Sequence, residues 1–299
     1  MSERPSLFLA APQSPALEAA LAERFTLHRG APPADTRVIV GGGSMHLDAA
    51  TIAALPALEI VAVHGVGHDG VDLAAARARG VRVTTTPDVL TDDVADLAIA
   101  LWLAVERAVV ANDRAVRGGG WSVPLARRAS GRRIGIFGLG RIGQAIARRA
   151  EPFAGEILYT ARRQRDVAWT WTPDLPSLAQ ASDVLILAAP GGEQTRGVVD
   201  AAVLHALGAH GVLVNVARGS LVDQPALIAA LQEGTIAGAG LDVFADEPQV
   251  PDALKSLPQV VLAPHQGSAT REARAEMAQL VLDNLDAHFA GRALPSAIV

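Results

Sequence analysis

The sequence predicts an α/β fold built from two doubly wound parallel sheets, and three observations carry that prediction. The chain has 299 residues, more than one hydrophobic core organises comfortably, so two domains are expected. Short apolar runs alternate with helical patterns from end to end, as parallel strands with covering helices require. One apolar run enters a helix through the glycine-spaced turn IGIFGLGRIG.

The first unit has strand candidates in SLFLAA, FTLH, TRVIVGG, LEIVAVHG and VRVTTT, separated by helical patterns such as SPALEAALAE and DAATIAALP. Residues 88–117 then place acids early and arginines late, with glycines following. That order predicts one long helix crossing between the domains, and Gly118 to Gly120 read as a joint before Trp121. The second unit has strand candidates in RRIGIFGLG, EILYTA, SDVLILAAP, GVLVNVA, AGAGLDVF and QVVLAPH. A final helix from about Arg271 to Ala290 has no obvious place in a completed second unit and is expected to return to the first.

Half the residues are hydrophobic and 19% are charged, the composition of an ordinary globular protein. A net charge of −5 gives no general attraction for nucleic acid or anionic membrane, so neither is an expected partner. Cysteine is absent, which excludes disulfides, thiolate metal sites and cysteine nucleophiles and fits a cytoplasmic protein; no metal site is expected. No apolar run approaches the length of a membrane span, and the first residues do not make a secretory signal.

Gly138, Gly140 and Gly143 satisfy G-x-G-x-x-G directly after an apolar strand, the pattern of a Rossmann dinucleotide-binding domain. The first glycine permits a tight turn, the second a close approach by pyrophosphate, and the third contact between helix and strand. The backbone from Gly138 through Leu139, Gly140, Arg141 and Ile142 to Gly143 is therefore the expected phosphate cradle. About twenty residues on, an NAD site carries an acid for the ribose hydroxyls. Here stand Thr160, Arg162 and Arg163. Guanidinium groups pair with a 2′-phosphate, so the basic loop points to NADPH rather than NADH, with a solvated surface loop as the plain alternative.

Arg218, Glu247 and His265 follow three later strand candidates, where open α/β sheets place ligands. Arginine clamps a carboxylate, histidine exchanges a proton near neutral pH, and a carboxylate beside it stabilises the imidazolium. Together they suit reduction of a 2-keto acid. Each alone also has a structural explanation: a surface charge, a loop acid and a buried turn.

At these residues the chain resembles the D-isomer-specific 2-hydroxyacid dehydrogenases. The matching words are VHGVGHDGVDL, TTTPDVLTDDVADLAIALWL, IGIFGLGRIG, AAPGGEQTRGVVD, NVARGSLVDQPALIAALQEGTIAGAGLDVFADEPQVP and VVLAPHQGSAT. The resemblance implies that Arg218, Glu247 and His265 are catalytic. It implies a discontinuous, flavodoxin-like substrate domain of residues 1–96 and 272–299 around a Rossmann domain of residues 97–271. It extends the cofactor contacts to Ala189, Thr195, Val216, Ala217, Arg218, Asp242, His265 and Gly267, with Asp242 at the nicotinamide end. Substrate contacts are expected from Val66, Gly67, Arg218 and His265, the first two through an anion-binding backbone turn.

Within the family, YTARR and AAPGG look like the NADPH-preferring glyoxylate, hydroxypyruvate and hydroxyphenylpyruvate reductases. A homodimer through the cofactor domain and the 88–117 segment is also implied. A dinucleotide-sensing corepressor and a phosphite-type oxidase are the alternatives on the same scaffold. His64 and His68 flank the proposed carboxylate turn, where loop histidines are ordinarily solvated, and neither is assigned a catalytic role. Met45 and Trp121 stand as pocket walls or as packing residues.

Overall fold

The computed structural model describes residues 4–43 and 45–299. Its contacts divide the chain into two units, one formed by the residues up to Leu90 with Thr270–Val299, the other by Thr91–Ala269. No described helix is long and apolar enough to cross a membrane.

The first unit holds strands β1 (Ser6–Leu9), β2 (Thr26–His28), β3 (Val38–Gly42), β4 (Ile60–His64) and β5 (Arg82–Thr84). They are parallel, in the order β2-β1-β3-β4-β5, which is the flavodoxin-like winding. Period-two alternation decides which side chains face which layer. Val38 and Val40 join Leu7, Leu9 and Ile60 in one core, while Ile39 joins Val61, Val63 and Val83 in the other. Helices α1 (Pro15–Ala22), α2 (Ala49–Ala53) and α3 (Leu73–Ala78) begin at Ser14, Asp48 and Asp72, whose side chains accept otherwise unpaired backbone N–H groups.

The last helix, α11 (Arg271–Phe289), does return to this unit. Its Val281, Leu282 and Leu285 complete the core over β1, β3 and β4. Met45 is 7% exposed among Leu47 and Ile52 and acts in packing, whereas Trp121, in the second unit, is 89% exposed.

The second unit starts with α4 (Thr91–Glu106) and α5 (Val109–Arg117). The single helix expected over 88–117 is thus two. Ala108 stands at φ 49°, in the left-handed region that interrupts a helix of L-residues. The charge order that suggested one helix belongs to both: Asp92 and Asp93 open α4, and Arg114 and Arg117 close α5. At the end of α4, Glu106 turns its carboxylate fully inward, 3.1 Å from Arg127 Nε and 3.5 Å from Arg132 Nε. This buried acid fastens the segment after α5 to the unit.

The remaining strands are β6 (Arg132–Phe137), β7 (Ala154–Thr160), β8 (Thr170–Trp171), β9 (Val184–Leu187), β10 (Val212–Asn215), β11 (Gly238–Leu241) and β12 (Val260–Leu262). Their order is β12-β11-β10-β9-β6-β7-β8, with helices α6 (Arg141–Ala150), α7 (Leu175–Ala181), α8 (Ala201–Leu207), α9 (Gln224–Glu233) and α10 (Asp252–Ser256) between them. The winding reverses between β6 and β9, the position where such sheets bind dinucleotides. β8, absent from the sequence reading, adds a two-residue edge beside Leu158 and Tyr159.

One residue of the first unit departs from expectation. His64 is not a solvated loop histidine: it ends β4, is 7% exposed, and places Nδ1 2.7 Å from Gln13 Oε1. Its buried Nε2 has no hydrogen-bond partner among the described residues. Burial first, and then the Arg274 charge, push its pKa down to about 4 from an ordinary 6.5. Between those values the unfolded chain binds a proton that the folded protein refuses, so stability falls as pH drops through that window. His64→Asn should flatten this part of the acid limb, removing up to ~3 kcal/mol of pH-dependent stability in urea titrations between about pH 7 and 4.

Candidate active site

The glycine turn joins β6 to α6, and its three glycines answer to different constraints. Gly138 has φ 101°, and a Cβ there would lie 2.6 Å from the Ala189 nitrogen. At Gly143 a Cβ would lie 2.0 Å from the Gly138 carbonyl oxygen, so the helix can close on the strand only if this residue is glycine. Gly140 is different. Its φ is −78°, and a Cβ would meet no protein atom within 4 Å.

Neither backbone conformation nor internal packing requires glycine at 140, and the space beside it is open to a ligand. The first turn of α6 also lacks a side-chain cap, so its N–H groups at Arg141, Ile142 and Gly143 suit a pyrophosphate. Leu139 is buried and anchors the turn, as is Ala189 across from it. Thr195 folds the neighbouring loop by donating its hydroxyl to the carbonyls of Pro190 at 2.9 Å and Gly192 at 3.2 Å.

The strand after this turn, β7, leads into the basic loop. Arg162 and Arg163 are exposed and form no ion pair with a described residue. Thr160 corrects the sequence reading. Its side chain is buried, with the hydroxyl 2.6 Å from Thr172 Oγ1 and within 3.1 Å of the carbonyls of Thr172 and Asp174. That hydroxyl is committed to the protein interior and does not join the arginines as a phosphate ligand.

Three adjacent strands lead to the candidate acid–base residues. Arg218 follows β10, Glu247 follows β11 and His265 follows β12. Glu247 Oε2 lies 2.7 Å from His265 Nδ1, while Oε1 accepts the Phe244 N–H at 3.0 Å. Burial raises the Glu247 pKa, but the His265 bond, the Phe244 N–H and the charges of His265 and Arg218 outweigh it, and the net direction is down. Arg218 donates from Nη1 to the Ala217 carbonyl at 2.6 Å. The loops are tightly joined: a Cβ on Gly219 would fall 1.9 Å from the Phe244 carbonyl oxygen.

In the first unit, the turn after β4 is held by the Thr86 N–H, which donates to the Gly65 carbonyl at 2.8 Å. Gly43 packs so closely on Gly67 that a Cβ would lie 2.6 Å from its carbonyl oxygen. The N–H groups of Val66 and Gly67 find no acceptor among the described residues, as an anion-binding turn requires. His68 is half-buried nearby, its Nδ1 3.1 Å from the Val66 carbonyl.

Residues 99–267 match the family model of the D-isomer specific 2-hydroxyacid dehydrogenase NAD-binding domain, more than half of the chain. The chain belongs to this family. It is 51% identical over 267 residues to a glyoxylate/hydroxypyruvate reductase of Arabidopsis thaliana, covering 88% of this chain and 85% of that protein. It is 47% identical to the hydroxyphenylpyruvate reductase of Plectranthus scutellarioides, over 96% of this chain and 97% of that one. The NADPH-dependent glyoxylate/hydroxypyruvate reductase of Sinorhizobium meliloti, solved in complex with NADP and malonate, superposes with a TM-score of 0.94 at 44% identity. That match covers 99% of this chain and 97% of the solved one.

Buried side chains support these loops from below. Asn215, buried at the end of β10, was missed by the sequence reading. Its amide donates to the Arg218 carbonyl at 2.9 Å and its oxygen accepts the Ala217 N–H at 3.0 Å. Val216 and Ala217 are thereby fixed before Arg218. Asp242, expected at the nicotinamide end, also supports the backbone. Its carboxylate is buried and accepts the N–H groups of Gln266 at 2.6 Å and Gly267 at 2.8 Å. Burial raises its pKa, against the pull of those two bonds. A polar residue directly after an apolar strand was the available signal for both.

Gly140 and Gly143 separate folding from binding. Gly143→Ala should lower Tm by several degrees, since backbone must shift to admit the methyl group. Gly140→Ala should leave Tm within about a degree while weakening dinucleotide binding at least tenfold by calorimetry.

Proposed function

We propose that this chain reduces a small 2-keto acid to the D-2-hydroxy acid with NADPH. The observation that carries the reading is the 2.7 Å contact between Glu247 and His265 Nδ1, beside Arg218. When bound, the reduced nicotinamide supplies the hydride that the keto carbon accepts. His265, through Nε2, delivers a proton to the carbonyl oxygen as negative charge develops there. Glu247, bonded to Nδ1, favours the protonated imidazolium and holds the ring in one orientation. Arg218 binds the substrate carboxylate and stabilises the growing oxygen charge. In the first unit, the Val66 and Gly67 N–H groups are proposed as a carboxylate-binding backbone turn. Asp242 acts by shaping the His265 turn.

The choice of NADPH is supported by the exposed Arg162 and Arg163 at the end of β7 and by the NADPH dependence of the Sinorhizobium meliloti relative. Glyoxylate, hydroxypyruvate and hydroxyphenylpyruvate are the substrates to try first, on the names of the relatives. We also infer a homodimer. Val109 and Val116 on α5, with Trp121 and Leu125 beyond it, expose apolar surface that a second copy would cover. The absence of cysteine supports a cytoplasmic location.

His265→Gln removes the proton donor, and steady-state assays on the best 2-keto acid should show kcat falling by about 10²–10⁴ with the fold intact by circular dichroism. Turnover near wild type would exclude the assignment. Arg162→Ala with Arg163→Ala should raise the KM for NADPH by roughly tenfold or more and leave that for NADH within about twofold. Equal changes for the two cofactors would remove the 2′-phosphate reading.

A further inference from the structure

The basic loop after β7 is held by a residue that the proposed chemistry does not use. Tyr159 is the chain's single tyrosine, and its side chain is fully buried. Its hydroxyl accepts the Arg165 N–H at 2.7 Å and donates to the Arg165 carbonyl at 3.2 Å. One phenol therefore satisfies both backbone groups of a residue six positions on, and folds the intervening chain back on the strand.

Neighbouring bonds pin the other end of the loop. Thr160, facing the opposite side of the sheet by strand alternation, secures its hydroxyl on Thr172 and Asp174. Its carbonyl accepts the Gly138 N–H at 2.9 Å, which ties the strand end to the glycine turn. The Tyr159 carbonyl accepts both the N–H and the hydroxyl of Thr172. Residues 161–164 thus run between two fixed points, and Arg162 and Arg163 lie between them, exposed and without an ion pair to a described residue. Arginines on a loose loop would lose backbone freedom whenever they gripped an anion, whereas a pinned loop has already lost it.

We infer that the Tyr159 hydroxyl is a positioning group for cofactor choice, holding the 161–165 loop so that Arg162 and Arg163 meet the 2′-phosphate of NADPH. The inference rests on the reading of this loop as the 2′-phosphate site. It gives the buried phenol a part in specificity without contact with the cofactor, because it acts on backbone and the arginines act on the ligand.

Tyr159→Phe keeps the ring in the core and removes only the hydroxyl. Calorimetric Kd values for NADPH and NADH, with kcat for each on glyoxylate, form the test. The Kd for NADPH should rise about fivefold to tenfold while that for NADH and both kcat values stay within about twofold. In the Arg162→Ala, Arg163→Ala background the same change should have no further effect on NADPH, since the groups it positions are gone. An unchanged NADPH Kd, equal weakening of both cofactors, or a lower Tm with the cofactor ratio intact would each overturn the inference. A wild-type protein that binds both cofactors alike would remove the 2′-phosphate reading and this inference together. Discrimination that is lost in the arginine variant and kept in Tyr159→Phe would remove this inference alone.

Discussion

The placement of His265 against Glu247 depends on one buried carboxylate. Asp242 stands directly after β11 and gives its two oxygens to the N–H groups of Gln266 and Gly267, while its backbone carbonyl takes the N–H of His265 at 2.8 Å. Three successive residues of one turn are thus fixed by a single residue on the neighbouring strand. His265 is held at φ 54°, a conformation unfavourable for a residue with a side chain and sustained here by those bonds. The carboxylate is inaccessible to water, so its hydrogen bonds are not exchangeable for solvent, and losing one leaves a buried polar group unpaired at about 1–3 kcal/mol.

Asn215 performs the same service one strand away. Its side chain bonds the Ala217 N–H and the Arg218 carbonyl, and its own carbonyl accepts the Asp242 N–H at 2.9 Å. The chain after β10 is therefore coupled to the chain after β11, and that in turn to the chain after β12. Gly219 against Phe244 closes the same ladder from the outer side. Arg218, Glu247 and His265 are presented by three loops joined by these bonds, the kind of support that the proton transfer proposed above would need.

Much of this was legible in the sequence. Short apolar runs between helical patterns identified most strands of both sheets, and the glycine spacing located the turn between β6 and α6. Arg218, Glu247 and His265 were placed at strand ends, and two of them proved to be in direct contact. What was hidden depends on three-dimensional context. Thr160 was read as a ligand because of its distance from the glycine turn, but alternation sends its side chain inward to Thr172. The break at Ala108 carries no proline or glycine to announce it. β8 is only two residues long, below any periodic signal. His64 was taken as a loop residue because the turn after it is obvious, whereas the end of the strand before it depends on pairing with Gly42.

The route of α11 bears on how the chain acquires its structure during synthesis. The face of the first sheet formed by Leu7, Leu9, Val38, Val40 and Ile60 is covered in part by Val281, Leu282 and Leu285, which leave the ribosome after the whole second unit. Everything the second unit needs lies between Thr91 and Ala269 and has emerged by then. The half translated first is consequently the half completed last, and its apolar face waits through the synthesis of an entire domain. Such a nascent chain presents sticky surface for tens of seconds at ordinary elongation rates of roughly 5–20 residues per second, which makes chaperone access to the amino-terminal sheet part of this architecture's cost.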